Sequence, residues 1–470
     1  MTAMRKQSRI ALLGALLLGA RAWGQQDPGQ TSAPTATAPT TPTPAPAFGQ
    51  EPPPPQVTVA PPVTSLDEAS LEPAITPRSY LQPGVHVTES INSNFGNSGS
   101  GVVGITRLLG SLDLTRIWSR YTFLADYIGG ASIYRGGGNS VSQIHGLAAA
   151  QRYAWRTGQV QINDCLTYLP EGAFGFSGFN GAGGGGVSGR VGCGGFGGGG
   201  TFGTIGNQSR LTNATSVDLR ESLSPRSSIT AAGNYTFTTF IGPSGAGTVD
   251  SRQESGQVGY SHVLNHFDQV GLQYGYDHFE FPSVLARSVD SQTVQALYEH
   301  AISGRMYLIL GAGPQFVTLH QAGLPTTTNL SVAARGILRY KFPRSSISLS
   351  YIRHTTAGSG IQLGSQTDEA RANFAKPLTR LWTGSLDTGY SHHNALLTPP
   401  TSGGGSNALG GSYQAGFGGG GLTRRIGRFF SLQMHYQYTY QFFSNSQVRS
   451  PDRHIGDITL SWHPAPIRLD

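Results

Sequence analysis

The chain has 470 residues, of which 66 are glycine and 28 are proline, and only 12% are charged and 37% hydrophobic. Soluble domains average about 25% charged and about 45–50% apolar residues, so this composition argues against an ordinary soluble globular domain. The aromatic content of 10% is too high for a wholly disordered chain. The net charge of +7 comes mostly from dispersed arginines. Because nucleic-acid-binding proteins usually cluster their cations on one element, we expect no nucleic-acid partner.

The first residues have the pattern of an export signal. A basic leader over residues 1–9 is followed by an apolar stretch from Ile10 to Ala20. This stretch is too short to span a bilayer and is typical of a secretory signal peptide. Cleavage can follow the small-residue pattern Ala20-Arg21-Ala22 or Gly24, and we predict a signal peptide over residues 1–24. The alternative is an N-terminal anchor helix.

A proline-rich segment separates this signal from the rest of the chain. Fifteen of the 28 prolines lie before residue 84, and residues 25–83 are otherwise rich in Thr and Ala. Such a segment buries little apolar area and favours an extended polyproline-like chain. We predict a disordered periplasmic linker over residues 25–83, either a plain spacer or a tether that contacts the cell wall or a partner. Its composition also excludes a folded plug domain, which argues against an energy-coupled transporter.

From residue 84 to residue 470 the sequence alternates between apolar and polar residues with a period of two. In the clearest segment, Phe430 to Phe442, one face carries Phe430, Leu432, Met434, Tyr436, Tyr438, Tyr440 and Phe442, and the other carries Ser431, Gln433, His435, Gln437, Thr439 and Gln441. Strict alternation predicts a β-strand. This strand is longer than the usual strand of about 5–6 residues and matches the roughly 9–11 residues that cross a bilayer.

The predicted connections form two sets. One set is tight and carries arginine; the other is longer, and polar or rich in glycine, at about 92–101, 129–140, 242–249, 321–328, 355–367 and 394–407. Short turns at one rim and long loops at the other are typical of an outer-membrane barrel. The aromatic residues near the short turns predict a girdle at the periplasmic interface: Trp118, Tyr121, Trp155, Tyr340, Trp382, Phe429 and Trp462.

With these features, residues 84–470 resemble the bacterial outer-membrane β-barrel proteins of the broad porin-like class. The resemblance implies an all-β, antiparallel transmembrane barrel of about 16–18 strands, integral to the outer membrane and inserted by the barrel-assembly machinery. It rests on strand pattern and loop asymmetry, without a family signature. One feature departs from the class: such barrels commonly end in an aromatic residue, whereas here residues 463–470 follow Trp462.

If the apolar face meets lipid, the polar face points into the barrel. The candidates for lining the pore are Asp113, Asp126, Asp218, Arg220, Asp277, Glu299, Arg335, Arg339, Glu369, Arg371, Asp387 and Asp457. A barrel of about 16–18 strands is wide enough to leave an aqueous channel. These charges either create a field that selects solutes or only pair across neighbouring strands.

A glycine-rich stretch over residues 172–206 is predicted to be a long loop, either outside the barrel or folded into it. Cys165 precedes this stretch and Cys193 lies within it, so we predict a disulfide that pins the loop; export permits such a bond. The stretch lacks the Gly-Lys-Ser/Thr ending of a phosphate-binding loop. We assign no catalytic, metal-binding or cofactor-binding residues and expect no cofactor.

Three functions remain open at this point. The first is a passive channel for small polar solutes, with a homo-oligomer possible. The second is a barrel that exports a polysaccharide or another polymer. The third is an outer-membrane hydrolase or a structural surface protein.

Overall fold

A computed structural model describes residues 79–93, 101–136, 140–169, 209–241, 249–282, 287–321, 323–358, 362–397, 411–443 and 452–469. The signal peptide, nearly all of the linker and the glycine-rich stretch predicted from the sequence lie outside these residues. None of the described residues belongs to a helix that is long and apolar enough to cross a membrane.

The described residues form nineteen strands. In chain order the strands are β1 (Tyr80–Ser93), β2 (Val102–Ile117), β3 (Tyr121–Arg135), β4 (Ser140–Ala154), β5 (Gly158–Leu169), β6 (Ser209–Ser224), β7 (Ser227–Ile241), β8 (Ser251–Val263), β9 (Asp268–Glu280), β10 (Arg287–Ser303), β11 (Met306–Gln321), β12 (Thr327–Lys341), β13 (Ser346–Thr356), β14 (Leu363–Pro377), β15 (Trp382–Leu397), β16 (Ser412–Ile426), β17 (Phe430–Phe443), β18 (Arg453–Trp462) and β19 (Ile467–Arg468).

The first eighteen strands form a closed antiparallel barrel. Each strand pairs with the next along the chain, and β1 pairs with β18, with Val85 opposite Trp462 and Asn92 opposite Ile455. This confirms the fold predicted from the sequence and sets the strand number at eighteen. The barrel begins earlier than predicted, because β1 starts at Tyr80 and its first four residues fall in the segment assigned to the linker.

The barrel has two different rims. Eight connections of two to four residues join β2 to β3, β4 to β5 and so on to β16–β17, at what we call the short-turn rim. Nine connections of four to 39 residues join β1 to β2, β3 to β4 and so on to β17–β18, and the strand ends that flank them define the opposite end, the long-loop rim. Residues 463–466, between β18 and β19, follow the short-turn end of β18. The short turns carry the predicted arginines.

The predicted loop at 129–140 was too long. The segment 129–140 was expected to be a loop because of its glycines, but β3 continues to Arg135. A Cβ atom at Gly130 would lie 2.0 Å from the backbone oxygen of Leu108. Glycine is therefore needed here because the backbone of β3 lies close to that of β2. Inside a strand, glycine can mark such a close backbone approach and not only a turn.

The barrel closes where β18 pairs with β1, and we call this junction the seam. The residues after Trp462 extend it. The short strand β19 pairs with β1, with Ile467 opposite Leu81 and Arg468 opposite Tyr80. Arg116 Nη1 donates to the backbone oxygen of Leu469 at 3.1 Å. The departure from the usual aromatic C-terminus is thus a short extension that lies along the first strand.

A histidine beyond the last long strand packs against this seam. The His463 ring lies 5.0 Å from the ring of His86 on β1. Burial lowers the pKa of His463 below its ordinary value and so favours the neutral ring.

Candidate pore

The strand register decides which side chains face inward. Directly opposed residues of paired strands share a face, and the faces alternate along each strand. On the convex outer side the side chains diverge, and the apolar residues predicted to face lipid, such as Leu272, Leu386 and Ile458, are exposed there. Polar residues in the alternate positions, such as Gln273, Asp387 and Thr459, are buried. The polar face is therefore the concave inner wall.

By this register all twelve candidate residues for the pore lie on the inner wall. Arg335 stands opposite Gly311, which opposes Leu297; Asp387 stands opposite Gly419, and Asp113 opposite Asp126. Five of the twelve are buried, namely Asp126, Asp277, Arg335, Glu369 and Asp387. The other seven are partly exposed: Asp113, Asp218, Arg220, Glu299, Arg339, Arg371 and Asp457.

The upper part of the β13–β14 hairpin separates from β12, while β14 stays paired with β15 up to Leu363 opposite Leu397. β12 pairs with β13 only from Ala334, opposite Arg353, to Lys341, opposite Ser346. Above this point β13 and β14 still pair with each other, up to Thr356 opposite Ser365, but the upper end of β12 has no partner in β13. We call the described residues of this segment, 354–358 and 362–367, the inserted hairpin.

The inserted hairpin lies inside the barrel. All of its described residues are buried, although alternate residues of a hairpin point to opposite faces. Gln366 Nε2 donates to Gln315 Oε1 on the inner face of β11 at 3.4 Å, and Ser331 Oγ of β12 donates to Gln366 Oε1 at 3.2 Å. A segment buried on both faces and bonded to the inner wall occupies part of the lumen.

An apolar cluster holds the tip of this hairpin near the long-loop rim. Leu363 and Ala357 of the hairpin pack with buried residues of neighbouring strands and connections: Val249, Phe279, Phe281, Val289, Val317 and Leu397. Gly364 has a φ of +74°, and a Cβ there would lie 3.1 Å from Val289 Cγ2. The turn at Gly364 therefore brings the hairpin from β14 to the inner face of β10.

Polar contacts join the same hairpin to β15. Thr367 Oγ1 lies 2.9 Å from His393 Nδ1, and His393 Nε2 lies 3.0 Å from Ser391 Oγ. The His393 ring also stacks on Tyr413 of β16, with 4.3 Å between the ring centroids. These contacts fix the hairpin from the side opposite to β10 and β11.

Further along the wall, a histidine lies between two of the predicted carboxylates. His435 Nδ1 is 3.3 Å from Asp457 Oδ2, and His435 Nε2 is 3.9 Å from Asp387 Oδ1. The second distance is too long for a hydrogen bond and is an electrostatic contact. Gly419 of the intervening strand leaves room for this contact, because a Cβ there would lie 3.3 Å from both side chains.

The short-turn half of the inner wall is polar and less tightly covered. Glu299 of β10 accepts a hydrogen bond from Tyr307 of β11. Arg220 of β6 interacts electrostatically with Glu299 although three strands separate them. Charges of both signs therefore remain partly exposed in this half.

Sequence reasoning missed the inserted hairpin and its anchors. The segment 355–367 was predicted to be a long loop at the rim, but residues 355–356 and 363–367 belong to the paired strands β13 and β14, and only 357–362 connect them. Gln366 was not singled out, and His393 was placed at a loop edge beside His392 without a role as an anchor. The only sequence signal is that Gln362 to Thr367 lacks the alternation of a strand with one face in lipid.

The predicted girdle residues lie at the short-turn rim. Trp118 and Phe429 are exposed in turns, and Trp462 is exposed at the end of β18. Trp118 contacts Tyr121, with 5.0 Å between ring centroids. Tyr340 and Trp382 stand at the short-turn ends of their strands, and Trp155 Nε1 donates to Glu221 Oε2 at 2.8 Å.

Cys165 faces inward from β5, where it is opposite Ala214 and is buried. It is not a free thiol. Cys193 lies outside the described residues, so the bond between the two cysteines stays a prediction.

Metal and nucleophile chemistry have little support in the described part of the chain. No group of three or more His, Cys, Asp or Glu side chains there could hold a metal ion. Ser227 Oγ lies 2.9 Å from His262 Nδ1 on the outer face. A hydrolytic triad would also need a carboxylate on His262, and none of the described carboxylates makes that contact.

Comparisons with known proteins find similarity only among solved structures. No protein-family model matches the sequence, and no curated protein matches it. Among solved structures, that of Pseudomonas aeruginosa OprD has a TM-score of 0.39 at 10% identity, and the match covers 85% of this chain and 97% of the OprD chain. Pseudomonas aeruginosa OccK2 (OpdF) has a TM-score of 0.43 at 11% identity, covering 83% and 98%. Acinetobacter baumannii OccAB3 has a TM-score of 0.40 at 8% identity, covering 82% and 99%.

These TM-scores lie below 0.5, and the architecture of this chain rests on its own strand pairing. A closed antiparallel barrel with an apolar outer face, a polar inner face and short turns at one rim has the build of a porin-like outer-membrane β-barrel. The chain is an integral outer-membrane protein of this architecture.

Proposed function

We propose that the protein is a passive channel for small polar solutes in the outer membrane and is not an enzyme. A barrel of eighteen strands is in the size range that leaves an aqueous channel. Its inner wall carries acidic and basic side chains, which solutes would meet in the lumen. The twelve inward residues named from the sequence are the proposed pore lining.

The inserted hairpin is the single observation that carries this proposal. It fills part of the lumen near the long-loop rim and is held by Gln315, Val289 and His393 on three different strands. A barrel narrowed in this way would pass small solutes and exclude large ones. The same narrowing disfavours the export of a thick polymer, so passive uptake or release of small solutes is favoured over polymer export.

The remaining predictions belong to this proposal. The linker over residues 25–83 would lie in the periplasm, where it could contact the cell wall, and the aromatic girdle would lie at the periplasmic interface. The bond between Cys165 and Cys193 would restrain the glycine-rich stretch. Insertion would require the barrel-assembly machinery.

Single-channel recording in a planar bilayer tests the proposal directly. The refolded full chain should give stepwise ionic currents, and small neutral sugars should enter vesicles that contain it, whereas long dextrans should not. A preparation that shows the heat-modifiable gel migration of a folded barrel but carries no current would contradict the channel function.

A further inference from the structure

The short-turn rim carries a ring of cations that the channel function does not use. Seven of the eight short turns hold one exposed arginine each: Arg120, Arg156, Arg226, Arg305, Arg344, Arg380 and Arg428. The eighth turn, residues 264–267, holds His266 instead. None of the eight turns contains Asp or Glu. We call these seven residues the rim arginines.

The opposite rim does not share this pattern. The connections at the long-loop rim are longer in total, yet Arg190 and Arg449 are the only arginines or lysines that they contain. The cations in the connections are therefore concentrated at one end of the barrel. If arginines were scattered at random, the longer connections would hold more of them. Their concentration in the short turns therefore points to an anionic binding partner at that rim.

The rim arginines have no acidic partner among the described residues. No ion pair of the described chain involves any of the seven. Nearby carboxylates are engaged elsewhere: Glu221 accepts from Trp155 Nε1 at 2.8 Å, and Asp268 accepts from Tyr298 at 2.6 Å and from His300 at 2.8 Å. The seven positive charges are therefore available to an external anion.

Apolar side chains stand beside these arginines and set their depth in the membrane. Exposed apolar residues lie within three residues of every rim arginine, in the turn or at the strand ends: Trp118, Tyr153, Leu223, Ile302, Phe342, Leu378, Leu381, Ile426 and Phe429. Two further arginines stack on girdle tryptophans, with Arg116 Cζ 5.4 Å from the Trp118 ring and Arg424 Cζ 5.3 Å from the Trp382 ring. Amphipathic aromatics and cations with apolar stems settle where hydrocarbon meets the polar headgroups.

From this placement we propose that the rim arginines form a binding surface for the phosphate headgroups of anionic phospholipids in the periplasmic leaflet. Short turns face the periplasm in outer-membrane barrels. The turns are two to four residues long, which keeps the guanidinium groups at headgroup depth rather than far out in the periplasm. Guanidinium matches phosphate in charge and in its paired hydrogen-bond donors.

The barrel tryptophans provide a local probe of this surface. Apart from Trp23 in the predicted signal peptide, the tryptophans are Trp118, Trp155, Trp382 and Trp462, which all lie at the short-turn rim. Phospholipids with brominated acyl chains quench tryptophan fluorescence on contact. The full chain with Trp23→Phe, folded into vesicles, therefore reports which lipids surround the rim.

The test compares brominated phosphatidylglycerol with brominated phosphatidylcholine, each diluted into unlabelled phosphatidylcholine. We expect phosphatidylglycerol to be preferred, by about fivefold for each arginine that a headgroup contacts. The preference should vanish when all seven rim arginines become glutamine and survive when they become lysine. It should also weaken in 1 M salt, because the Debye length there is only about 3 Å and exposed charges are screened.

Two controls separate the ring from other causes. Arg135→Gln with Arg252→Gln removes exposed arginines on the outer face near the long-loop rim and should leave the preference unchanged. A smaller variant, with glutamine only at Arg226, Arg305 and Arg344, should lose part of the preference and is available if the sevenfold variant does not fold.

Three results would overturn the proposal. One is equal quenching by both lipids in the parent chain. Another is an unchanged preference in folded glutamine variants. The third is arginine-dependent binding to isolated peptidoglycan, or an arginine-dependent change in the ion selectivity of the channel, without any lipid preference. Because lipid selection needs only a folded barrel, it can fail while the channel conducts, and it can hold in a barrel that carries no current.

Discussion

The two halves of the lumen along β9 to β15 are built on different principles. Near the long-loop rim, the inserted hairpin and the apolar cluster bury nearly every inward side chain, including Phe279, Val289 and Leu363. Near the short-turn rim, the same strands present Glu299 and Arg339, which stay partly exposed. The wall is thus specified by packing at one end and by charge at the other. Changes at the first end should cost stability, and changes at the second should alter selectivity.

The largest effect is expected where packing dominates. Leu363→Asp places a carboxylate in the apolar cluster, where Leu363 is 1% exposed. The change should lower the free energy of unfolding by about 4 kcal/mol, because both packing and solvation are lost. Denaturant titration of the barrel in vesicles measures this. Leu324→Asp is the matched control, since Leu324 is 59% exposed in a connection at the same rim. Equal losses in both variants would contradict the conclusion that packing stabilises the half of the lumen near the long-loop rim.

A buried charge cluster should give the next effect. His435→Leu leaves Asp387 and Asp457 without the imidazole between them. Breaking a buried ion pair by removing one partner costs about 3 kcal/mol. The same titration should show this loss, and adding Asp387→Asn to the variant should recover part of it. No recovery would mean that lost packing, not unpaired charge, explains the change.

The seam tests whether packing also matters near the short-turn rim. His86 is fully buried there and lies 2.9 Å from both Ser461 Oγ and Ser111 Oγ. His86→Ala removes both contacts between β18, β1 and β2, and should cost about 2 kcal/mol. His145→Ala, on the outer face with exposed contacts to Tyr127 at 3.1 Å and to Gln143 at 3.4 Å, should cost less than half as much. A seam as tolerant as the outer face would contradict this account.

The smallest effect on stability, and the largest on selectivity, is expected at Glu299. Glu299→Gln should change the unfolding free energy by less than about 1 kcal/mol, since the group is only partly buried. It should shift the reversal potential of the channel toward anions, because one inward negative charge is removed. Glu89→Gln, on the outer face, should leave the reversal potential unchanged. A stability loss without a selectivity shift would place Glu299 with the packed half.

The sequence predicted most of the barrel wall and little of its contents. The period of two placed Leu386 and Ile458 outside and Arg335 and Asp387 inside, because alternation follows directly from strand geometry. It could not predict the inserted hairpin, because burial of both faces at 354–358 and 362–367 arises from contacts with β10, β11 and β15 that are distant along the chain. The seam extension 467–468 was missed for the same reason.

Glycine can mark either a loop or a close approach of two strands, and the sequence alone does not distinguish the two. Gly129 and Gly130 predicted a loop, whereas Gly130 allows the backbones of β2 and β3 to approach. The arginines of the tight connections were visible in the sequence, but their arrangement as a ring at one rim required the barrel to be closed.

The conductance of single channels tests the central claim most directly, which is that the inserted hairpin narrows a conducting lumen. Recordings should be made on the parent chain, on Leu363→Asp and on Leu324→Asp under the same conditions. The account predicts stepwise currents in all three, with a larger unit conductance only in Leu363→Asp, because that change frees the hairpin tip from the apolar cluster. Identical conductance in a folded Leu363→Asp barrel, or no current in the parent chain, would contradict it.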